Sequence, residues 1–296
     1  MSGGWRVWVL ASRPKTLFAA VTPVVLGTAL AFADSRADFF AALAALCGAV
    51  FIQIGTNFAN DYWDAKKGAD TGERLGPLRV TAAGLAKPGA VLAATGVAFG
   101  ISALAGVYLI LVAGWPVLAI GLVSIACGIA YTAGPFPLAY LGLGEVFSFV
   151  FFGPVAVAGT FFVQAGGVGW EAALAGFVPG AYSVALISLN NFRDRAQDVA
   201  ARKWTLAARF GEKFARVEIV AFLALPSAVV LGLWAGFGTV SFAEALVVAS
   251  VAGVGAVAIA RSVYRLKEMR TVNSMLPRTG LISVVVCLLL SLFIVL

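Results

Sequence analysis

The sequence contains no histidine, and only 12% of its 296 residues are charged. The missing histidine excludes imidazole metal sites, imidazole general bases and Ser-His-Asp triads anywhere in this chain. A metal ion would have to be held by oxygen ligands, which suit hard cations. The low charge excludes an ordinary water-facing surface, because a soluble domain carries about a quarter of its residues as Asp, Glu, Lys and Arg.

Cysteine is also scarce. The three cysteines, Cys47, Cys127 and Cys287, each lie inside an apolar run, and the chain has no CxxC motif. Because a free cysteine packs as a small hydrophobic residue, we predict structural roles for all three.

Long apolar segments account for most of the chain, since 61% of its residues are hydrophobic. A membrane-spanning helix needs about 20 predominantly apolar residues. The sequence therefore predicts an all-α, polytopic membrane protein with nine transmembrane helices. Their predicted extents are 16–34, 37–60, 88–112, 115–133, 141–165, 171–190, 216–236, 242–262 and 278–296.

Lysine and arginine are distributed unevenly among the connecting segments. On the nine-helix count, 20 of the 21 basic residues lie in the N-terminal segment and in three loops on the same side of the membrane. By the positive-inside rule that side is the cytoplasm, so the N-terminus is predicted to be cytoplasmic and the C-terminus to lie outside. The net charge of +7 thus reflects orientation and not nucleic-acid binding. Two of these loops, 61–87 and 191–215, are long and polar, which is typical of functional loops.

A polar stripe ends the second predicted helix. Its members recur at helical spacing, so that they share one helix face. They are Gln53, Asn57, Asn60, Asp61 and Asp64. Polar groups at membrane depth are costly and face the bundle interior or a watery cavity. We therefore predict that the stripe lines a site, with a solvated helix end that carries two acids as the alternative.

A second polar cluster ends the sixth predicted helix. Asn191, Asp194 and Asp198 lie at offsets of 0, 3 and 7, again on one helix face. This pattern predicts a second half of the same site. The alternative is that Arg193 and Arg195 pair with these acids on the protein surface.

The two clusters share one order: asparagine, then acids at helical spacing, then basic residues and a threonine. Asp64 and Asp194 are 130 residues apart, which indicates a degenerate internal duplication within a single domain of residues 1–296. The halves would be about 1–140 and 141–296. Two facing half-sites would combine several carboxylates with nearby cations.

That combination of charges fits a diphosphate. Carboxylates hold Mg²⁺, which binds phosphate oxygens, while Lys and Arg neutralise the remaining charge. Ionisation of an allylic diphosphate leaves a delocalised cation that an electron-rich ring can capture, and exclusion of water would protect this cation. Aromatic faces could stabilise it, with packing as the alternative role. The candidates are Phe58, Tyr62, Trp63, Tyr131 and Phe192.

The pattern Asn60-Asp61-x-x-Asp64, followed in a later helix by Asp194-x-x-x-Asp198, resembles the UbiA superfamily of intramembrane prenyltransferases over essentially the whole chain. Within it, the sequence is most similar to the branch of 1,4-dihydroxy-2-naphthoate polyprenyltransferases. The stretches that carry the similarity are 13–17, 55–62, 67–71, 76–77, 79–81, 131–137, 142–145, 190–194 and 203–206.

The resemblance implies nine helices around a central cavity, with Mg²⁺ and a polyprenyl diphosphate bound between the two acidic motifs. The implied metal ligands are Asn60, Asp64, Asp194 and Asp198. The implied supporting catalytic residues are Asp61 and Asn191. The residues implied to hold the diphosphate are Arg74, Arg79 and Lys203. The resemblance also implies that Arg13 and Tyr131 line the end of the cavity where the aromatic acceptor binds, and that Lys15 is a further substrate-binding residue.

The implied reaction is prenylation of 1,4-dihydroxy-2-naphthoate with loss of its carboxylate, a step of menaquinone biosynthesis in the cell inner membrane. Attack through the carboxylated carbon releases CO₂ instead of a ring proton, so no histidine base is needed. The general superfamily has a third acid where this chain has Gly68, and the next acid here is Asp70, a shift that the naphthoate branch shares. Glu145 is a further candidate, because an intramembrane carboxylate is costly, with packing as its alternative role.

Two other functions stay open at this point. One is prenylation of a different acceptor, such as 4-hydroxybenzoate, chlorophyllide or a glycerol phosphate, with the same donor chemistry. The other is secondary transport by a protein with internal repeats. Transporter ion sites lie near the membrane midplane, whereas both acidic clusters lie at helix ends, so the sequence favours the enzyme.

Overall fold

The computed structural model describes residues 4–68 and 75–296, and the regular structure within those ranges is entirely helical. A single turn of 3-10 helix, Met269–Thr271, precedes the last helix. The α-helices are α1 (Trp5–Ser12), α2 (Pro14–Ala33), α3 (Phe39–Lys66), α4 (Pro88–Ala113), α5 (Trp115–Ala130), α6 (Gly144–Phe152), α7 (Pro154–Ala165), α8 (Trp170–Ala200), α9 (Leu206–Phe237), α10 (Phe242–Tyr264) and α11 (Val272–Val295).

The predicted number of spanning segments is confirmed for the part of the chain that the structure describes. Eight helical segments are long and apolar enough to cross a membrane, with α6 and α7 together forming one of them, and α5 is a shorter apolar helix. Large apolar side chains point outward from these helices: Leu104, Leu111 and Val254 are 73%, 81% and 71% exposed. Such a surface suits lipid and not water, so the chain is an integral membrane protein.

The helices that carry the polar clusters are longer than predicted. α3 continues to Lys66 and α8 to Ala200, whereas the predicted ends were residues 60 and 190. The runs of Asn and Asp looked like loop sequence, but their side chains bond to tertiary partners, and the helical backbone continues beneath them. α9 begins at Leu206, where the Thr205 side chain caps it by accepting from Ala208 N at 3.2 Å. Gly211, with φ 84° and ψ −174°, interrupts this helix, so its long apolar part begins after Gly211, close to the predicted start at residue 216.

The fifth predicted helix is broken in the middle. Gly153 has φ −114° and ψ −111°, outside the helical region, and Pro154 begins α7. On α8, Gly176 faces this break so closely that a Cβ there would lie 2.7 Å from backbone atoms of Gly153 and Pro154. The break therefore allows two backbones to approach each other, which is how small residues act at helix contacts in membranes.

α8 lies at the centre of the molecule. Its side chains Tyr182 and Phe192 are 1% and 0% exposed, and they belong to a core that also contains residues of α2, α9, α10 and α11. Cys287 is buried in the same core, as its apolar context predicted. The helix that carries the second acidic cluster is thus held on several sides.

Candidate active site

A cavity of about 890 Å³ lies between helices α2 to α8 and the start of α11. Its wall is apolar along the helices and polar near the ends of α3 and α8. The predicted site residues that line it are Arg13, Lys15, Asn60, Asp64, Arg79, Tyr131, Asn191, Asp194 and Lys203. Asp61 and Asp198 are not among the lining residues. Arg74 and Asp70 lie outside the described residues.

Asp61 holds a turn over the end of α3. Its carboxylate accepts from the backbone N–H groups of Val80 at 3.0 Å and Thr81 at 2.8 Å, and the residue is 1% exposed. These bonds place the adjacent Arg79 above the helix end. Asp61 is therefore bonded to the turn that carries Arg79, and Arg79 lines the cavity whereas Asp61 does not.

Asp64 lies at the cavity wall with two partners. Arg79 Nη2 donates to its Oδ2 at 3.2 Å, and the Tyr140 hydroxyl donates to its Oδ1 at 3.1 Å. Burial and the negative charge of Asp64 raise the pKa of Tyr140, so that the hydroxyl stays protonated and remains a donor. The carboxylate is thus oriented from both sides.

The connection between α5 and α6 is fastened to the end of α3. Thr132 donates from Oγ1 to Asn60 Oδ1 at 2.9 Å. The Lys67 ammonium donates to the carbonyl oxygens of Thr132 at 2.7 Å and Gly134 at 3.3 Å, and it lies 4.7 Å from the centre of the Tyr140 ring. Burial lowers the pKa of Lys67, an effect that the charge of Asp64 partly opposes. This connection therefore forms one wall of the polar end.

The second cluster is organised by a buried arginine. Arg193 donates from Nε and Nη2 to the two carboxylate oxygens of Asp194, both at 2.7 Å, and from Nη1 to Asn273 Oδ1 at 2.8 Å. Asn273 in turn donates to the Leu75 carbonyl at 2.8 Å. An ion pair between Arg193 and its neighbouring acid was expected only as a surface feature, but Arg193 is 2% exposed. The pair is a structural part of the cavity wall that links α8 to α11.

Asn191 and Glu145 form a polar contact between α8 and α6. Asn191 Nδ2 donates to Glu145 Oε1 at 2.7 Å, and Glu145 is 4% exposed. The intramembrane carboxylate thus has a partner from the predicted site. Asn191, the partner of Glu145, lines the cavity.

Asp198 lies behind the cavity wall. Its carboxylate accepts from Thr205 Oγ1 at 3.4 Å and lies 3.7 Å from the Lys203 ammonium, and the residue is 6% exposed. Lys203 does line the cavity. Asp198 therefore holds the turn after α8 in the way that Asp61 holds the turn after α3.

The acceptor-end residues lie where α1 meets α2 and where α5 ends. Arg13 has a left-handed backbone, with φ 53°, between the two helices, and Asn57 Nδ2 donates to the neighbouring Ser12 carbonyl at 2.9 Å. Tyr131 lines the cavity opposite Gly144, where an added Cβ would lie 2.9 Å from the tyrosine hydroxyl. Because Gly144 has no side chain, the Tyr131 ring can occupy this position.

The other aromatic candidates do not line the cavity. Phe58 packs edge-on against Trp8 at 6.0 Å, and Phe192 belongs to the α8 core. Tyr62 and Trp63 face Lys66. These four residues pack against other side chains, which was the alternative to a role in the site. Of the five candidates, only Tyr131 lines the cavity.

A metal ion would meet oxygen donors from two separate helices. Among the described residues, no three His, Cys, Asp or Glu side chains are close enough to hold an ion together. The acids are paired with cations instead, as Asp64 with Arg79, Asp194 with Arg193, and Asp198 with Lys203. Even so, Asn60, Asp64, Asn191 and Asp194 all line one cavity. This donor set fits a hard cation that arrives with a substrate supplying further oxygen ligands.

The polar end carries an excess of positive charge. Its described lining residues include two carboxylates, Asp64 and Asp194, and five cations, which are Arg13, Lys15, Arg79, Arg193 and Lys203. Such an excess in a site partly shielded from water attracts a polyanion.

Sequence reasoning missed several residues of this site. Tyr140, Lys67 and Thr132 were not identified, although the nine-helix count places the connection 134–140 on the same side as the acidic clusters. Asn273 was also missed. The available signal was a lone asparagine just ahead of an apolar run, and no pattern in the sequence relates it to Arg193.

Comparison with known proteins decides the family, since residues 20–276 match the model of the UbiA prenyltransferase family. The chain belongs to the UbiA prenyltransferase family. The 1,4-dihydroxy-2-naphthoate octaprenyltransferase of Mycobacterium tuberculosis is 42% identical over 218 residues, which cover 74% of each chain. The enzyme of the same name from Bacillus subtilis is 38% identical over 233 residues, covering 78% of this chain and 74% of that one.

The UbiA fold is also found among solved structures. The structure of a UbiA homolog from Archaeoglobus fulgidus bound to GPP and Mg2+ has a TM-score of 0.70 and 13% identity, covering 98% of this chain and 99% of that one. Membership in this family removes the support for secondary transport, which rested on the internal repeat alone. The predicted fold and family are confirmed.

Proposed function

We propose that this UbiA-family protein transfers a polyprenyl chain from an allylic diphosphate to 1,4-dihydroxy-2-naphthoate, with loss of CO₂, in menaquinone biosynthesis. The observation that carries the proposal is the cationic end of a cavity whose remaining wall is apolar. The relatives named for this acceptor, at 42% and 38% identity, support the choice of acceptor.

Basic side chains from both halves of the chain bind the diphosphate. Arg79 follows the first acidic cluster and Lys203 follows the second, and both line the cavity. Arg74 completes the proposed set by its position in the motif. Guanidinium groups suit phosphate oxygens because they present several donors in one plane.

The oxygen donors of the two clusters hold Mg²⁺. When bound, Mg²⁺ would neutralise the diphosphate and stabilise it as a leaving group. The proposed ligands are Asn60, Asp64, Asp194 and Asp198. The first three line the cavity, and Asp198 follows Asp194 by four residues on the same face of α8. Asp61 and Asn191 support the site by holding the neighbouring groups. The Archaeoglobus homolog of the same fold, bound to GPP and Mg2+, supports the metal assignment.

The acceptor lies at the end of the cavity formed by α2 and α5. Arg13 and Lys15 bind its anionic oxygens, and the face of Tyr131 stabilises the allylic cation. Loss of CO₂ from the attacked carbon returns an electron pair to the ring, so no side chain has to remove a proton. A chain without histidine is compatible with this chemistry.

The prenyl chain lies against the apolar wall. Side chains from several helices form this surface and exclude water from the allylic cation. They include Ile52, Val107, Ile110, Leu118, Ile125 and Phe151.

The polar end of the cavity faces the cytoplasm. The uneven distribution of lysine and arginine supports this orientation. In sealed vesicles of known orientation, a single cysteine at Lys267 and one at Thr239 should react with an impermeant thiol reagent from opposite sides. Labelling of both from the same side would contradict the orientation.

The chain consists of two degenerate halves, about 1–140 and 141–296. In each half an acid at the end of a long helix pairs with a cation from the turn that follows, as Asp64 with Arg79 and Asp198 with Lys203. This correspondence supports a duplication in which α3 and α8 are equivalent.

The experiment that tests the function uses the purified protein in detergent with Mg²⁺, a long-chain polyprenyl diphosphate and 1,4-dihydroxy-2-naphthoate. Mass spectrometry should detect the prenylated, decarboxylated product, and EDTA or Asp194→Asn should abolish it. If product forms with 4-hydroxybenzoate and not with 1,4-dihydroxy-2-naphthoate, the prenyl transfer stands and the proposed acceptor is wrong. The absence of both product and diphosphate release with every acceptor would overturn the proposal.

A further inference from the structure

A second pocket, separate from the central cavity, lies at the connection between α10 and α11. Its volume is about 390 Å³. Four basic side chains line it, namely Arg261, Arg265, Lys267 and Arg278, and no acidic residue is among its described lining residues. The concentration of one sign of charge indicates an anion as the ligand.

These four cations have no partner within the described part of the chain. None of their side chains forms an ion pair or a hydrogen bond with a described residue. By contrast, Arg79, Arg193 and Lys203 in the central cavity each face a carboxylate. Four unpaired cations around one pocket repel each other, so a bound anion would relieve that repulsion.

The position of the pocket indicates which anion is present. It lies where the spanning helix α10 ends at Tyr264 and where α11 begins, which is the level of lipid headgroups. Tyr264 is 57% exposed there, as aromatic side chains at a membrane interface commonly are. Leu266 and Met275 add an apolar wall. We propose that this pocket binds the headgroup phosphate of an anionic membrane phospholipid.

Such a ligand would act on the same helix end that supports the central cavity. Ser274 and Met275 line the basic pocket, whereas Asn273 and Leu276 line the central cavity. Asn273 accepts from Arg193 at 2.8 Å. A phospholipid in the pocket would therefore stabilise the beginning of α11, where Asn273 holds Arg193.

The test is titration of the full chain in detergent with phosphatidylglycerol, phosphatidylcholine or inorganic phosphate, with bound species counted by native mass spectrometry. Phosphatidylglycerol should bind more tightly than phosphatidylcholine. Arg265→Gln/Arg278→Gln should weaken it about 25-fold, since each basic residue near an anionic surface contributes about fivefold in affinity. Arg261→Gln/Lys267→Gln should cause a similar loss, so the result does not depend on one variant folding.

The matched control is Lys213→Gln/Arg270→Gln, which removes the same charge outside the pocket, and it should retain the parent affinity. Melting temperatures of all variants show that they are folded. The proposal is overturned if control and pocket variants bind phosphatidylglycerol equally, or if the parent does not distinguish the two lipids. It is also overturned if inorganic phosphate binds and phosphatidylglycerol does not, because the ligand would then be a soluble anion.

Discussion

Arg193 and Asp194 are neighbours in the sequence, and their side chains form a two-pronged ion pair with both N–O distances at 2.7 Å. The third nitrogen of the guanidinium reaches Asn273 on α11. A proposed metal ligand is thus held and neutralised by the residue next to it. The position of the Asp194 carboxylate is thus linked through Arg193 to α11, a helix that contributes no acid to the described cavity lining.

Replacement of Arg193 should destabilise the protein. Arg193→Gln leaves the Asp194 carboxylate without its partner, and breaking a buried pair in this way costs about 3–5 kcal/mol. If Asp194 is a metal ligand, Mg²⁺ should raise the melting temperature of the variant more than that of the parent. Arg195→Gln is the control, because Arg195 has no ion pair with a described residue. If Mg²⁺ raises the melting temperatures of Arg193→Gln and of the parent equally, Asp194 is not a metal ligand.

The two acids of the first cluster should respond differently to the same substitution. Asp61→Asn places an amide against two backbone N–H groups and should cost about 1–3 kcal/mol of stability. Asp64→Asn should lower kcat by about 100-fold, the scale of a single electrostatic group, whereas Asp61→Asn should change kcat less, because Asp61 does not line the cavity. Asp64→Asn should also lose stability, because it breaks the buried ion pair with Arg79. Unfolding curves and initial rates on both variants check this. A larger loss of kcat in Asp61→Asn than in Asp64→Asn would show that Asp61 is the catalytic acid of the first cluster.

The Tyr140 hydroxyl should matter more than its ring for metal binding. Tyr140→Phe keeps the ring beside Lys67 and removes the donor to Asp64. The apparent affinity for Mg²⁺ in the activity assay should fall about 10- to 100-fold, as for other residues that orient metal ligands. An affinity equal to that of the parent would show that this hydrogen bond does not orient the ligand.

The effect of Tyr140→Phe should be independent of pH. Burial and the nearby Asp64 charge raise the pKa of Tyr140, so the hydroxyl is protonated at every pH below that raised value. The ratio of parent to variant activity should therefore stay constant between about pH 8 and about pH 11, a range in which a tyrosine with the ordinary pKa of about 10 would lose its proton. A ratio that approaches one as the pH rises through this range would contradict the shift.

The break between α6 and α7 should be sensitive to a single methyl group. Gly176→Ala would place a Cβ 2.7 Å from backbone atoms of Gly153 and Pro154, and overpacking of this kind costs about 1–3 kcal/mol. Gly100→Ala on α4 is the control, since no atom lies within 4 Å of a Cβ there. Similar melting temperatures for the two variants in detergent would show that the helices can separate at little cost.

Much of the fold was predictable because it depends on local properties of the chain. Apolar runs of spanning length predicted nine segments, and the helical spacing of Asn60, Asp64, Asn191 and Asp194 placed them on helix faces. The structure confirms the segments and brings these four residues to one cavity. The helix ends were predicted less well. The polar residues at the ends of α3 and α8 form hydrogen bonds with other parts of the chain, and both helices therefore extend beyond their apolar segments.

The sequence by itself thus determined the membrane class, the number of spans and the two polar faces, since these follow from composition and period. Only the tertiary structure decided how the acids divide their roles. Asp61 and Asp64 share a helix face in the sequence pattern, but the turn at Val80 binds Asp61 and leaves Asp64 at the cavity. Likewise Asn273 meets Arg193 across 80 residues. Such pairings depend on how helices pack, and helical periodicity carries no information about which distant side chain will be the partner.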